Sequence, residues 1–343
     1  MPDKSMLAAI FEDEGKLVVR EVPVPMIRTP QDVLVKVEVC GVCGTDIRFL
    51  AVPPVIYAKK GVILGHEYIG VVVEVGQDVP QFKPGDRVAV MPDVPCGHCR
   101  FCAEGRPNLC ENMFSIGGDV DGGFAHYALA PAKGLYRISP DLAVEEGAFV
   151  ELLSCVMAGV QKAALLPGED VVIIGAGPAG LVYMTVFKAA GAGKVIMVEV
   201  SPWRIDFARQ AGADLVINPN QENLREGVRA VTDGGAHIVV DAVGSQVTAA
   251  ISVARRAGRI IVFGEDHKAE CTIRPRDIQG QELQILGSFI GIQVFPKAVK
   301  MLESRAVKLS DLITHRLSLE ELPAGIAELA AGHGAKGVCF PWQ

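Results

Sequence analysis

Apolar and polar positions change texture midway along the chain. Residues 6–150 carry short runs of β type, with 33–39 and 70–75 as the clearest, broken by Gly and Pro; this punctuation predicts a β-rich half. After Pro167-Gly168, apolar runs at 171–174, 195–200, 215–217, 238–240 and 259–263 are separated by helix-compatible stretches. Alternation of that kind predicts a doubly wound parallel α/β sheet. A further apolar run, 283–290, is placed to complete the sheet. The tail from Phe295 carries an amphipathic helix and then Leu312-Ile313-Thr314-His315, and it is expected to rejoin the first half. No internal repeat or low-complexity segment interrupts this order.

Composition narrows the class. With 343 residues, half of them hydrophobic, the chain can bury cores for two domains. Thirty-three basic against 40 acidic residues leave a net charge of -7, which offers no electrostatic footprint for nucleic acid or an anionic membrane. Mean hydropathy is +0.30, yet every apolar run stops well short of the roughly 20 residues that span a bilayer. The first 20 residues lack the basic start and apolar middle of a signal peptide, so the cytoplasm is the expected location.

Nine cysteines, an odd number, five of them at Cys43 or within 96–110, do not read as a disulfide framework, which is usual in short secreted chains. Cys96, Cys99, Cys102 and Cys110 form C-x2-C-x2-C-x7-C, four soft ligands able to wrap one tetrahedral Zn²⁺ with no open position. An iron–sulfur cluster is the other use of four cysteines, though nothing else in the chain suggests electron transfer. Downstream, the apolar run 171–174 leads into Gly175-Ala176-Gly177-Pro178-Ala179-Gly180 and a helix-compatible stretch. In that context G-x-G-x-x-G reads as a dinucleotide site: the glycines permit a tight turn and close approach of a pyrophosphate, whose charge faces a helix N-terminus. Glu199, 19 positions beyond Gly180, is placed to accept hydrogen bonds from the adenosine ribose and to repel a 2′-phosphate, favouring NAD over NADP. Arg204 is a candidate for the adenine face or a solvated helix residue.

A third group stands in the β-rich half, where Cys43, Thr45 and Asp46 on one loop and His66 and Glu67 on another offer a thiolate, a hydroxyl, two carboxylates and an imidazole. That mixture suits a zinc that keeps a position open for substrate, although a packed histidine and a buried thiol are the commoner meaning of one His and one Cys.

Taken in order, Cys43-Gly44-Thr45-Asp46, Gly65-His66-Glu67, the four-cysteine lobe, Glu151-Leu152-Leu153-Ser154-Cys155 and the glycine turn resemble the zinc-containing medium-chain dehydrogenases across nearly the whole chain. The sorbitol and threonine dehydrogenase branch is the nearest in motif. The resemblance implies a groES-like catalytic domain at 1–153, with a structural-zinc lobe near 93–113, a Rossmann domain at 154–290, and a return to the catalytic domain at 291–343. It implies two zinc ions per subunit and NAD. Cys43, His66, Glu67 and Glu151 become candidates for the catalytic ion, and Cys96, Cys99, Cys102 and Cys110 for the structural one. Gly175, Gly177, Pro178, Ala179, Gly180, Glu199, Arg204, Val243 and Ile290 are assigned to the cofactor. Thr45 takes up the substrate's hydroxyl proton, Asp46 orients His66, and Cys155 is read as a core thiol.

The implied reaction is oxidation of a secondary alcohol, a polyol, to the ketone by a homodimer or homotetramer. A threonine or butanediol dehydrogenase shares the same machinery and is the alternative, with a non-catalytic dinucleotide-binding protein as the alternative of another class. Two departures bear on the substrate. Arg48 stands where relatives often carry a relay histidine and cannot serve as a base at neutral pH, and Ala158 stands where many polyol enzymes have a histidine.

Overall fold

The computed structural model describes residues 4–343. Two large sheets organise them. The first contains six parallel strands in the order Leu215–Ile217, Val195–Val198, Val171–Ile174, Ala236–Asp241, Ala254–Val262 and Gln284–Gly287. Val171–Ile174, Val195–Val198 and most of Ala236–Asp241 are buried, as continuous apolar strands covered on both faces must be. Their order reverses beside Val171–Ile174, the arrangement of a doubly wound nucleotide-binding sheet, and the helix Pro178–Ala189 begins at that switch point.

The second sheet has seven strands, six of them on its main path, running Ile313–Leu317, Lys336–Cys339, Asp32–Gly41, Glu67–Val75, Arg87–Val90 and Leu135–Arg137, with Tyr127–Pro131 paired to Asp32–Gly41 off that path. The tail therefore returns: Val338 and Cys339 pair antiparallel with Gly41 and Cys40. This places Lys336 under residues that precede it by almost the whole chain. The four cysteines occupy a lobe framed by the short strands Asp93–Val94 and Phe114–Ser115, with the helix Arg100–Ala103 between them.

Several expectations shift in detail. The helix Val150–Ala163 runs unbroken through position 153, where the sequence reading divides the chain, because its buried face packs continuously into one core with Pro178–Ala189 and Phe295–Glu303. The run 283–290 forms a strand only at Gln284–Gly287, and Ile290 adopts φ 39, leaving the sheet for the cleft. Among the described residues no helix is long and apolar enough to cross a membrane.

Candidate active site

Cys43 and His66 stand on loops as expected, but Glu67 does not. Cys43 caps the short helix Gly44–Phe49, and its backbone N–H donates to Asp46 Oδ2 at 2.9 Å; Glu67 opens the strand Glu67–Val75. Between them, Gly65 has φ +88, and a Cβ there would lie 2.7 Å from the Phe124 ring and 2.8 Å from Cys40 Sγ, so only glycine can turn the chain and deliver His66. The result is one cluster in which the ligand atoms of Cys43, His66 and Glu67 all lie within 4.8 Å of one another.

Charge is arranged tightly around this cluster. Asp46 is fully buried, and its Oδ1 lies 3.6 Å from His66 Nδ1 without a hydrogen bond. Burial would push the His66 imidazolium down, but the thiolate of Cys43 and the carboxylate of Asp46 outweigh it and hold the ring well above its ordinary value. Glu67 Oε2 accepts from the ammonium of Lys336, which also donates to the Val42 carbonyl at 3.0 Å. Both side chains of that pair are wholly buried. Glu67 Oε1 has no hydrogen-bond partner, although buried carboxylate oxygens are ordinarily satisfied. An unsatisfied carboxylate oxygen beside a thiol and an imidazole is a donor set that fits a zinc ion with a position left open.

Glu151 lies outside the 4.8 Å group. It sits in the first turn of Val150–Ala163, where its Oε1 accepts from Cys155 Sγ at 3.2 Å. Burial, and then the proximity of Glu67, push its carboxyl up to about 7. Thr45, His66, Glu67, Glu151 and Cys155 all line one cleft of about 960 Å³.

The same cleft is lined by Gly177, Pro178, Ala179, Gly180, Val243 and Ile290. Gly175 takes φ 102, and a Cβ on Gly180 would fall 1.9 Å from the Gly175 carbonyl oxygen, whereas nothing stands within 4 Å of a Cβ built on Gly177. The turn is thus closed on its inner side and open toward the cleft, a shape that fits a pyrophosphate at the start of Pro178–Ala189. Glu199 and Arg204 lie off this lining. Glu199 accepts from the backbone N–H groups of Ala176, Val200 and Ser201 at 2.8–3.0 Å, which braces the glycine turn against the next strand. Arg204 Nε is enclosed without a partner.

In the lobe, the four sulfurs of Cys96, Cys99, Cys102 and Cys110 come within 4.8 Å of one another. Backbone N–H groups of His98 and Cys99 aimed at sulfur push the Cys96 thiol down to about 6, whereas desolvation pushes Cys102 up to about 12. Four sulfurs with no fourth-position gap fit a closed structural metal.

Lys336 and Asp93 carry no local sequence signal, and Arg48, legible as a cation, gives none of its partner. Lys336 reaches Glu67 only because the tail returns. Arg48 donates to the Glu265 backbone carbonyl at 2.9 Å and to its Oε2 at 3.0 Å, joining the helix Gly44–Phe49 to the loop after the strand Ala254–Val262 across the cleft. Asp93 lines the cleft from the base of the cysteine lobe.

Comparison with known proteins agrees with this geometry. The model of the alcohol dehydrogenase GroES-like domain matches residues 29–140, and that of zinc-binding dehydrogenases matches 178–304. Sorbitol dehydrogenase of Bacillus subtilis is 33% identical over 93% of this chain and 92% of its own length; D-xylulose reductase A of Aspergillus niger is 34% identical over 96% and 95%. Among solved structures, a zinc-binding dehydrogenase of Sinorhizobium meliloti bound to NADP superposes with TM-score 0.91 at 34% identity, covering 99% of this chain and 100% of that one. The 2R,3R-butanediol dehydrogenase of Bacillus subtilis superposes with TM-score 0.89 at 28% identity, covering 98% and 99%.

Proposed function

The chain belongs to the zinc-binding alcohol dehydrogenase family, and on that premise we propose that it oxidises a secondary alcohol of the polyol class to the ketone, with NAD as hydride acceptor. The observation that carries the reading is that Cys43, His66 and Glu67 converge in the same cleft as the glycine turn 175–180. A metal site and a nucleotide site opening into one cavity is what hydride transfer from a bound alcohol requires.

Zinc held by Cys43, His66 and a carboxylate from Glu67 or Glu151 supplies Lewis-acid polarisation of the substrate hydroxyl, and the nicotinamide supplies the hydride acceptor. This chain's residues do the rest. Thr45, held on the helix Gly44–Phe49 at the cleft wall, takes up the hydroxyl proton and passes it outward. Asp46 fixes Cys43 through its backbone and sets the field at His66. Lys336 engages one oxygen of Glu67 and leaves the other without a hydrogen-bond partner. Gly177 leaves the room that a pyrophosphate needs, and Glu199, with oxygen lone pairs beyond those its three N–H donors use, disfavours a 2′-phosphate. Cys96, Cys99, Cys102 and Cys110 hold a second, structural zinc. We further propose a cytoplasmic homo-oligomer.

The test is NADH formation by the zinc-loaded protein with polyols, diols, threonine and simple secondary alcohols, beside a Cys43→Ser control. Polyol turnover that disappears in the control supports the reading. Turnover confined to vicinal diols or threonine moves the assignment to the butanediol or threonine type. Silence across the panel with cofactor bound refutes catalysis.

A further inference from the structure

We infer that Asp93 is a specificity-determining residue: its carboxylate receives a substrate hydroxyl flanking the one oxidised, and it disfavours phosphorylated and carboxylated substrates. The inference rests on the polyol reading above. Asp93 belongs to the two-stranded ribbon Asp93–Val94 and Phe114–Ser115, in which it stands opposite Ser115. The pairing fixes its backbone, and Ser115 Oγ donates to Asp93 Oδ1 at 2.6 Å, which fixes its side chain. Asp93 Oδ2 makes no hydrogen bond among the described residues, while the side chain borders the cleft that holds His66 and Glu151. Burial raises its carboxyl, and the Ser115 hydroxyl and then His66 oppose that rise. A rigid carboxylate with one oxygen free is an acceptor waiting for a hydroxyl.

The surrounding charges decide which hydroxyl compounds can use it. Glu67, Asp93, Asp119 and Glu151 line the cleft, and Asp119 is held there by the Ser115 N–H at 2.8 Å. The cations on the same lining are already engaged: Lys336 by Glu67, Arg48 by Glu265, and Lys162 by the Gly287 carbonyl. A phosphate monoester, carrying about -1.5 to -2 charge, would meet these carboxylates with Lys162 as the one lining cation not paired to a carboxylate. A neutral polyol meets an acceptor suited to its second hydroxyl, and a hydrogen bond to a charged group is the stronger kind.

The experiment uses the zinc-loaded enzyme with saturating NAD and compares wild type, Asp93→Ala and Asp93→Asn on a hexitol or pentitol, its terminal phosphate monoester, and 2-propanol. The expected result is that the ratio of kcat/KM for the polyol to kcat/KM for 2-propanol falls about 10- to 100-fold in Asp93→Ala, mainly through KM. Asp93→Asn, which keeps the shape and one acceptor oxygen, shows a smaller fall and narrows the preference for the free polyol over its phosphate. A purely structural role would lower the melting temperature and both activities together, leaving the ratio in place. Polyol turnover with a ratio indifferent to position 93, or equal use of the phosphate by wild type, overturns this assignment alone. Oxidation of 2-propanol without any polyol turnover overturns the polyol reading and this assignment with it.

Discussion

Replacing Lys336 by Met tests the buried charge pair on which the geometry of Glu67 depends. Lys336 and Glu67 are each 1% exposed, and the ammonium donates to Glu67 Oε2 and the Val42 carbonyl and lies 5.7 Å from the centroid of the Phe149 ring. Burial would push the Lys336 ammonium down, and the carboxylate of Glu67 outweighs it to keep the lysine above its ordinary value. Removing the lysine strands a carboxylate whose other oxygen already lacks a partner, and it also leaves the Val42 carbonyl without this donor. Breaking such a pair from one side costs about 3–5 kcal/mol, and the lost bond to Val42 sets the expectation toward the upper end. For a cooperative unit of about 150–250 residues this is a fall in Tm of roughly 6–20 °C. Glu67→Gln/Lys336→Met removes both charges and should recover most of the loss, because the remaining deficit is hydrogen bonding alone. Scanning calorimetry of the wild type, Lys336→Met and the double variant at one ionic strength checks this. A single variant within about 1 kcal/mol of wild type, or a double variant no more stable than the single one, refutes the argument.

Three further outcomes are expected. Gly180→Ala drives its Cβ onto the Gly175 carbonyl and should weaken NADH binding at least about tenfold by fluorescence titration, while near-native affinity would remove the glycine turn from the cofactor site. Cys110→Ala should lower the zinc content by one ion per chain and reduce Tm, as measured by elemental analysis and calorimetry; an unchanged zinc content would refute the closed four-sulfur site. Glu169 receives Arg259, which also donates to the Ala163 and Ala164 carbonyls at the end of Val150–Ala163. Burial would raise the Glu169 carboxyl, but Arg259 lowers it overall, so its stabilisation is present above the ordinary carboxylate pKa of about 4.3 and is lost as pH falls through the depressed folded value. Glu169→Gln should therefore flatten the acid limb of the urea midpoint against pH, and an unaltered limb would count against the pair.

The features legible in the sequence are those whose geometry closes within a short span. The turn 175–180 is such a case: its glycines, the strand before it and the helix after it are neighbours in the chain, so spacing alone constrains the shape. The four cysteines are another, lying within residues 96–110. The alternating apolar runs also announced the parallel sheet, although the bounds drifted where backbone conformation broke the pattern. The run expected at 259–263 is part of a longer strand, Ala254–Val262, which carries Ala257 at φ 59 and a register shift against Ala236–Asp241. Cys43 and His66 needed the resemblance to stand out, since hydrophobic pattern says nothing of which loop ends meet. Lys336 gave no signal at all. Its partner is fixed by the antiparallel pairing of Lys336–Cys339 with Asp32–Gly41, a consequence of where the tail finds an open strand edge.

That long-range closure also bears on Arg48. The sequence shows a permanent cation at the cleft and leaves open whether it attracts an anionic substrate or cofactor phosphate. In the folded chain its Nη1 is engaged by both the backbone and the carboxylate of Glu265, whose other oxygen faces His267 Nε2 at 2.9 Å. An anion seeking Arg48 meets a guanidinium whose charge is already shared with a carboxylate held in place. The same holds for Lys336 with Glu67. Arg48, which the sequence singles out, and Lys336, which it does not, are therefore both engaged by partners 217 and 269 positions away, while carboxylate oxygen on Asp93 and Glu67 remains unengaged at the reacting end. Recognition of a hydroxyl compound in this cleft follows from which charges the fold has already neutralised, and only the tertiary structure determines that.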